Sequence, residues 1–402
     1  MPERATKHGL MRLPVIPVNE PVIGEKEMAY VNACLRTGWI SSAGRFIEEF
    51  ERKWADYCGR KFGIAVSNGT AALQAAAGCI GIGPGDKVLM PSFTIVSCAQ
   101  AVVYAGGVPV LVDCDPNTWC MDVDQAREKV EAEMAGGDGR LKAILPVHIY
   151  GHPVDMDPVL EIAAKYNLKV IEDAAEVHGA EYLTGRDTSA PAWKRCGGLG
   201  DVSVFSFYAN KLITTGEGGM LLTDDPVYAE KARNLRNLCF QPRRFYHTEL
   251  GYNFRMTNLQ AAIGLGQMER MEEIIAKKRW MGRAYTNRLR NTEGIQIPCE
   301  EPWARQVYWM YGLVLDKNTG FDAASFAAKL KMHGVETRPF FLGMHEQPVF
   351  RDMGLFAGEK YPATERIARQ GLYLPSGLTI TEDQIERVVR AVKAALASKP
   401  DR

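Results

Sequence analysis

The chain lacks any run approaching the about 20 consecutive apolar residues that a membrane-crossing helix needs, so no membrane span and no membrane partner are expected. Its opening segment, MPERATKHGLMRLPVIPVNEP, carries charge but no apolar stretch of the secretory type, and a cytoplasmic location is expected. There is no C-x-x-C pair. The nine cysteines (Cys34, Cys58, Cys79, Cys98, Cys114, Cys120, Cys196, Cys239 and Cys299) are scattered and odd in number. That pattern argues against a zinc site or a disulfide framework, and for reduced thiols acting as small core residues. No metal is expected. Neither charge is in excess, since 48 basic residues face 48 acidic ones. A net charge of zero gives no footprint for nucleic acid, though it leaves room for a local basic patch that takes a small phosphorylated substrate. Internal repeats and low-complexity segments are also missing.

What is present suffices for a large core. Of 402 residues, 46% are hydrophobic, which suggests one large domain and a smaller one. From 63 to 223, short apolar runs alternate with helical patterns. GIAV precedes the small-residue helix TAALQAAAGCIG, and KVLMP precedes a helix at about 94–105. VPVLVD, KAILPV, KVIED, DVSVFSF and GGMLLTD continue the series. This alternation predicts an α/β domain with a largely parallel sheet covered on both faces, whose ligands collect at the carboxyl ends of the strands. A single long helix is expected from about 257 to 290, and residues 182–200 read as a long polar loop. Beyond the helix, YWMYGLVLD reads as a strand, FDAASFAAKLKMHG as a helix ending at Gly334, and TEDQIERVVRAVKAALA as a final helix. The expected division is 15–260 for the large domain and 261–402 for the connecting helix and small domain.

Four segments carry chemistry. Ser67-Asn68-Gly69-Thr70-Ala71 lies between a strand and a helix, where backbone N–H groups and the helix dipole suit a phosphate; an ordinary N-cap would look the same. Glu172-Asp173-Ala174-Ala175 ends an apolar run, at the edge where ligands bind. A carboxylate there could keep a pyridine nitrogen protonated or merely cap a turn. Ser206 to Met220, SFYANKLITTGEGGM, starts at a strand end and finishes in glycines that allow close approach to a flat ring. Its Lys211 is a candidate Schiff-base amine, activated by a desolvated site, although most single lysines lie on the surface. GYNFRMTN, residues 251–258, precedes the long helix and could present Asn253 and Arg255 to an anion.

Taken in order, TGWISSAGRFIEEFE, SNGTAAL, PSFT, EDAAEVHGA, GDVSVFSFYANKLITTGEGGM and GYNFRMTNLQAAIG resemble the DegT/StrS-type nucleotide-sugar aminotransferases over about residues 15 to 395. The resemblance implies the pyridoxal 5'-phosphate (PLP) aminotransferase fold type I: a large domain with a mostly parallel mixed sheet and a smaller C-terminal α/β domain. It also implies glutamate as amino donor, a nucleotide sugar as acceptor, and a homodimer with composite sites. Lys211 and Asp173 are then the catalytic pair, with Asp173 at the pyridine nitrogen. Gly69, Thr70 and Ser206 hold the phosphate, Phe93 stacks on the ring, and Asn253 reaches the phosphate of the neighbouring subunit. Glu176 stands where the family often has glutamine, at a ring contact. Trp39, Ser41, His178, Arg338 and His345 are candidates for substrate contact; each also has a structural reading. The stretches around Tyr208–Met220 and Gly251–Gln267 are most similar to members that aminate C4 of GDP-4-keto-6-deoxymannose for O-antigen synthesis. UDP- or dTDP-linked 3-keto or 4-keto sugars are the alternative. A PLP dehydratase of the same family would carry histidine in place of Lys211, and a non-catalytic binding protein would have little reason to keep both Lys211 and Asp173.

Overall fold

The computed structural model describes residues 14–136, 139–243 and 245–398. Two helices, α1 (Glu25–Thr37) and α2 (Arg45–Tyr57), lead into the first strand. In α2 the apolar residues Phe46, Ile47, Phe50 and Trp54 recur at helical spacing and are all buried. The strands expected from apolar runs follow: β1 (Phe62–Val66), β2 (Lys87–Pro91), β3 (Val108–Val112), β4 (Leu141–Ile144) and β5 (Lys169–Asp173). After the hairpin β6 (Glu181–Thr184) and β7 (Ala192–Arg195) come β8 (Val202–Ser206) and β9 (Gly219–Thr223). Seven of these form one sheet in the order β1-β9-β8-β5-β4-β2-β3. Neighbours from β8 to β3 pair parallel, whereas β9 runs antiparallel to both β1 and β8.

The helices α3 (Gly69–Ile80), α4 (Val96–Tyr104), α5 (Val123–Gly136) and α6 (Met156–Tyr166) connect the strands, and α7 (Pro226–Arg236) follows β9. The first of them shows why this sequence folds so. Ala71, Ala72, Ala75 and Ala76 are buried, and such small side chains let a helix lie close on the sheet. The Asn68 side chain caps it by accepting from the Ala71 N–H at 2.8 Å.

Two expectations are corrected here. The helix expected from 257 to 290 is two helices, α8 (Asn258–Met268) and α9 (Met271–Leu289). At the break the Glu269 carboxylate takes Lys26 at 2.7 Å and the Tyr30 hydroxyl at 3.0 Å, while Arg270 reaches Glu27 at 2.8 Å. Both side chains are thus drawn to α1, and Arg270 leaves helical geometry with φ −112°. The expected polar loop at 182–200 holds the β6–β7 hairpin instead. It pairs with the short β11 (Ala304–Arg305), which follows β10 (Ile295–Gln296) in the chain. The Tyr182 side chain is wholly buried and its hydroxyl donates to Asp155 at 2.5 Å.

A second, antiparallel sheet has the order β10-β12-β14-β13, with β12 (Tyr311–Leu315), β13 (Arg338–Pro339) and β14 (Gly371–Leu374). Helix α10 (Ala323–Met332) and the C-terminal helix Glu382–Ala397 pack with it, around Tyr285, Tyr311, Leu313, Phe326, Val388 and Val392. Ile16, from the other end of the chain, joins this core and bridges to Val335. Lys278 of α9 is 3% exposed and donates to the carbonyls of Trp309, at 2.8 Å, and Ser376. Among the described residues no carboxylate pairs with it. No helix of the described chain is long and apolar enough to cross a membrane.

Candidate active site

The parallel strands β5 and β8 are neighbours, so Asp173 and Ser206, their last residues, end at the same edge of the sheet. The turn after β1 comes to that edge as well, because Val66 pairs with Gly219 at the start of β9. A cavity of about 640 Å³ opens there, within the size range of small-molecule sites. Gly69, Thr70, Asp173, Glu176, Ser206 and Lys211 all line it.

Lys211 sits in the tight connection from β8 to β9, which is closed by Lys211 N to Tyr208 O at 2.9 Å and Thr215 N to Phe207 O at 2.9 Å. The carbonyl of the preceding residue, Asn210, accepts from two remote donors: Asn19 Nδ2 at 2.6 Å and Trp309 Nε1 at 2.7 Å. The Lys211 ammonium lies 3.6 Å above the Trp309 ring and 3.6 Å from Glu176 Oε1. Burial holds its pKa below the usual lysine value, against the opposing pull of Glu176 and Asp173. Asp173 is 1% exposed. One of its oxygens accepts from the Ala175 N–H at 3.0 Å, and the other from the Cys98 thiol at 3.2 Å. Burial raises its pKa, opposed by those bonds and by Lys211. Glu176 is held by the Tyr150 N–H at 2.8 Å, and burial pushes it up to about 7 despite the nearby lysine.

The adjoining Glu172 does different work. Wholly buried, it accepts from the N–H groups of Gly197, Leu199 and Gly200, from Ser203 Oγ and from His148. Burial alone would raise its pKa, but these partners outweigh it and bring the value down to about 2. Glu172 therefore fixes the turn before β8 and, through it, the strand that carries Ser206.

The cavity walls fit PLP. At Gly69 an added Cβ would lie 2.8 Å from Ser206 Cβ, so the bare Gly69 backbone meets the Ser206 side chain in a cradle at the start of α3, where N–H groups and the Thr70 and Ser206 hydroxyls can take a phosphate. A buried carboxylate suits the ring nitrogen, and a desolvated amine suits the aldehyde.

Not every expected residue joins this wall. Phe93 is fully buried among Tyr150, Phe340 and Phe341, at centroid distances of 6.1, 5.9 and 5.8 Å. Ile95, two residues on and 40% exposed, lines the cavity instead, so an aliphatic face stands where an aromatic one was expected. His178 also turns inward: its Nε2–H donates to Ser206 O at 2.8 Å among Trp54, Phe205 and Phe207, and burial lowers its pKa to about 3. His345, 2% exposed, is bonded to Ser92 Oγ at 2.8 Å and to Glu365 at 3.3 Å. Trp39 and Ser41 lie exposed between α1 and α2, where their carbonyls accept from Asn258 at 2.7 and 2.6 Å. Arg338 is exposed on β13, opposite Tyr373 of the cavity wall. Asn253 is exposed and bridges to Asn237, outside this wall. The sequence reading missed Trp309, Phe341 and Tyr373 in the lining. The aromatic-rich YWMY leading into β12 was a signal for the first; the other two gave none.

The sheet and this donor set define a class, the PLP-dependent aminotransferases. Comparison with known proteins narrows it. Residues 21–393 match the DegT/DnrJ/EryC1/StrS aminotransferase family, and the chain belongs to that family of PLP-dependent sugar aminotransferases. It is 43% identical over 386 residues to the GDP-perosamine synthase of Caulobacter vibrioides, covering 96% of this chain and 99% of that one. Identity to the GDP-perosamine synthase of Escherichia coli O157:H7 is 35% over 385 residues, with the same coverage of 96% and 99%. Among solved structures, the aminotransferase TlmJ from Streptoalloteichus hindustanus superposes with a TM-score of 0.84 at 30% identity, covering 95% of this chain and 99% of that one.

Proposed function

We propose that the protein moves an amino group from glutamate to C4 of a GDP-linked 4-keto-6-deoxyhexose, with GDP-4-keto-6-deoxymannose giving GDP-perosamine as the preferred pair and O-antigen synthesis as its setting. The observation that carries this reading is Lys211 and Asp173 in one cavity, in a chain 33–43% identical to three GDP-perosamine synthases. Bound PLP supplies an aldehyde for the amine to condense with and a ring that takes up the electrons of a broken C–H bond. The chain's residues do the rest. Lys211, when free, is the base that takes a proton from one carbon and returns it to another. Asp173 keeps the ring nitrogen protonated. Thr70, Ser206 and the start of α3 hold the phosphate, and the Trp309 ring shields Lys211 from water.

The working unit is proposed to be a cytoplasmic homodimer. The segment leading to Asn253 exposes the apolar side chains Phe240, Phe245, Tyr246, Leu250 and Tyr252, and exposed apolar groups of this kind suit an interface. The large domain is proposed to span 15–260, with the seven-stranded sheet, and the connecting helix and small domain 261–402, with the four-stranded antiparallel sheet. The test is an end-point assay with glutamate against GDP-, UDP- and dTDP-linked 3-keto and 4-keto sugars, reading 2-oxoglutarate and the amino sugar. Preference for a UDP- or dTDP-linked sugar would overturn the base assignment, and nitrogen at C3 would overturn the position.

A further inference from the structure

The lysine that must act as a free amine does not stand alone in its cavity. Glu176 Oε1 lies 3.6 Å from its nitrogen, and the two side chains are 6% and 10% exposed. The other Glu176 oxygen is fixed by the Tyr150 N–H at 2.8 Å, so the carboxyl cannot swing away from Lys211 without losing a buried bond. The remaining titratable groups around the pair do not compete for its proton. Asp173 is already committed to Ala175 N–H and the Cys98 thiol. Burial drives the Tyr150 and Cys98 protons well above neutrality and raises Tyr373 to about 12, while it keeps His178 neutral.

We propose that Glu176 is a catalytic residue that stores the proton Lys211 must shed, so that the pair passes between ammonium–carboxylate and amine–carboxylic acid. This rests on the reading of Lys211 as the reacting amine. In the forward step an Nζ–H bond breaks and an Oε1–H bond forms. The nitrogen keeps the lone pair, the carboxyl becomes neutral, and the cavity's net charge is unchanged. The reverse step restores the ammonium when Lys211 is released. Keeping charge constant matters here because separated charges are costly where water is excluded. Burial, which lifts the Glu176 carboxyl to about 7, brings the two states closer together in energy. A glutamine at this position could hold Tyr150 but could not store the proton.

The test compares the parent chain with Glu176→Gln and Glu176→Asp at full length. With the cofactor removed, Lys211 is labelled with acetic anhydride from pH 5 to 11 and its peptide quantified by mass spectrometry. Removing a carboxylate this close should lower the pH of half-labelling by about 1–3 in Glu176→Gln, and Glu176→Asp should recover part of the shift. In the loaded enzyme, Glu176→Gln should lose about 100-fold in kcat for the glutamate half-reaction with KM little changed. An unchanged labelling midpoint would overturn the pair. A shifted midpoint with parental kcat would leave Glu176 as a fixed charge and overturn its role as proton store. Labelling needs no sugar, so failure of the substrate reading and failure of this inference are told apart.

Discussion

Replacing Lys278 by methionine isolates the effect of one buried charge. Burial alone pushes this ammonium down to about 7 from 10.5. The gap of about 3.5, at about 1.4 kcal/mol for each unit of pH, sets a ceiling of about 5 kcal/mol on what the folded chain spends to hold the proton. The carbonyls of Trp309 and Ser376 favour the ammonium and bring that figure down. The unfolded chain keeps its proton up to about 10.5, whereas the folded chain releases it near 7. Between those values the unfolded state binds more protons, so stability rises with pH through that window and the burial cost stays whole below it. Methionine removes both the charge and the two contacts, each orphaned carbonyl costing about 1–3 kcal/mol. The losses and the relief nearly cancel at pH 6. From pH 7 to 9 the parent should gain roughly 2 kcal/mol relative to Lys278→Met. Urea unfolding of both chains at pH 6, 7, 8 and 9, followed by tryptophan fluorescence, measures this directly. Parallel stabilities at all four values would mean that the folded chain keeps the proton beyond pH 9, and would refute the reasoning.

Lys211→Ala is expected to abolish amino transfer while the thermal melt stays near that of the parent, because the amine is lost and the surrounding packing is not. Asp173→Asn should still take up cofactor, as followed by absorbance, but should lose on the order of 100-fold in kcat because the ring nitrogen loses its counter-charge. Gly69→Ala puts a Cβ 2.8 Å from Ser206 Cβ, so cofactor affinity measured by titration should fall about tenfold or more. Glu172→Gln turns an NH2 toward buried N–H donors and should cost about 3 kcal/mol in urea unfolding at pH 7. In the parent, where the Glu172 pKa is lowered to about 2, the same stabilisation is present above about 4.5 and is lost as the pH falls toward 2.

The sheet and its carboxyl edge could be read from the chain because each strand announces itself as a short apolar run. Asp173 closes such a run and Lys211 lies in the connection just after another, and adjacent strands bring them together. The thiols followed expectation as well, with every cysteine but Cys299 buried. Phe93 and Ile95 mark where reading stops. Beyond a strand's end the alternation of faces is set by the turn, and PSFT does not reveal which of its side chains points outward. Tyr373 of β14 and Trp309, just ahead of β12, reach the wall from the side of the second sheet, whose placement depends on packing between distant segments. The break at Glu269 and Arg270 was hidden for the same reason: its cause is the partners waiting on α1, and nothing in local propensity shows them. The β6–β7 arms are only four residues each, too short for period-two alternation to stand out.

The Asn210 carbonyl, held at once by residues 19 and 309, sets an order of events for a refolding chain. The peptide beside the reactive lysine should take its final shape only after the segment around Asn19 and the residues leading into β12 have both arrived. Such long-range meetings come late, because distant segments must find each other before any contact rewards them. The sheet should therefore return first and cofactor capture last, which makes the appearance of cofactor colour a clock for the closing step of assembly.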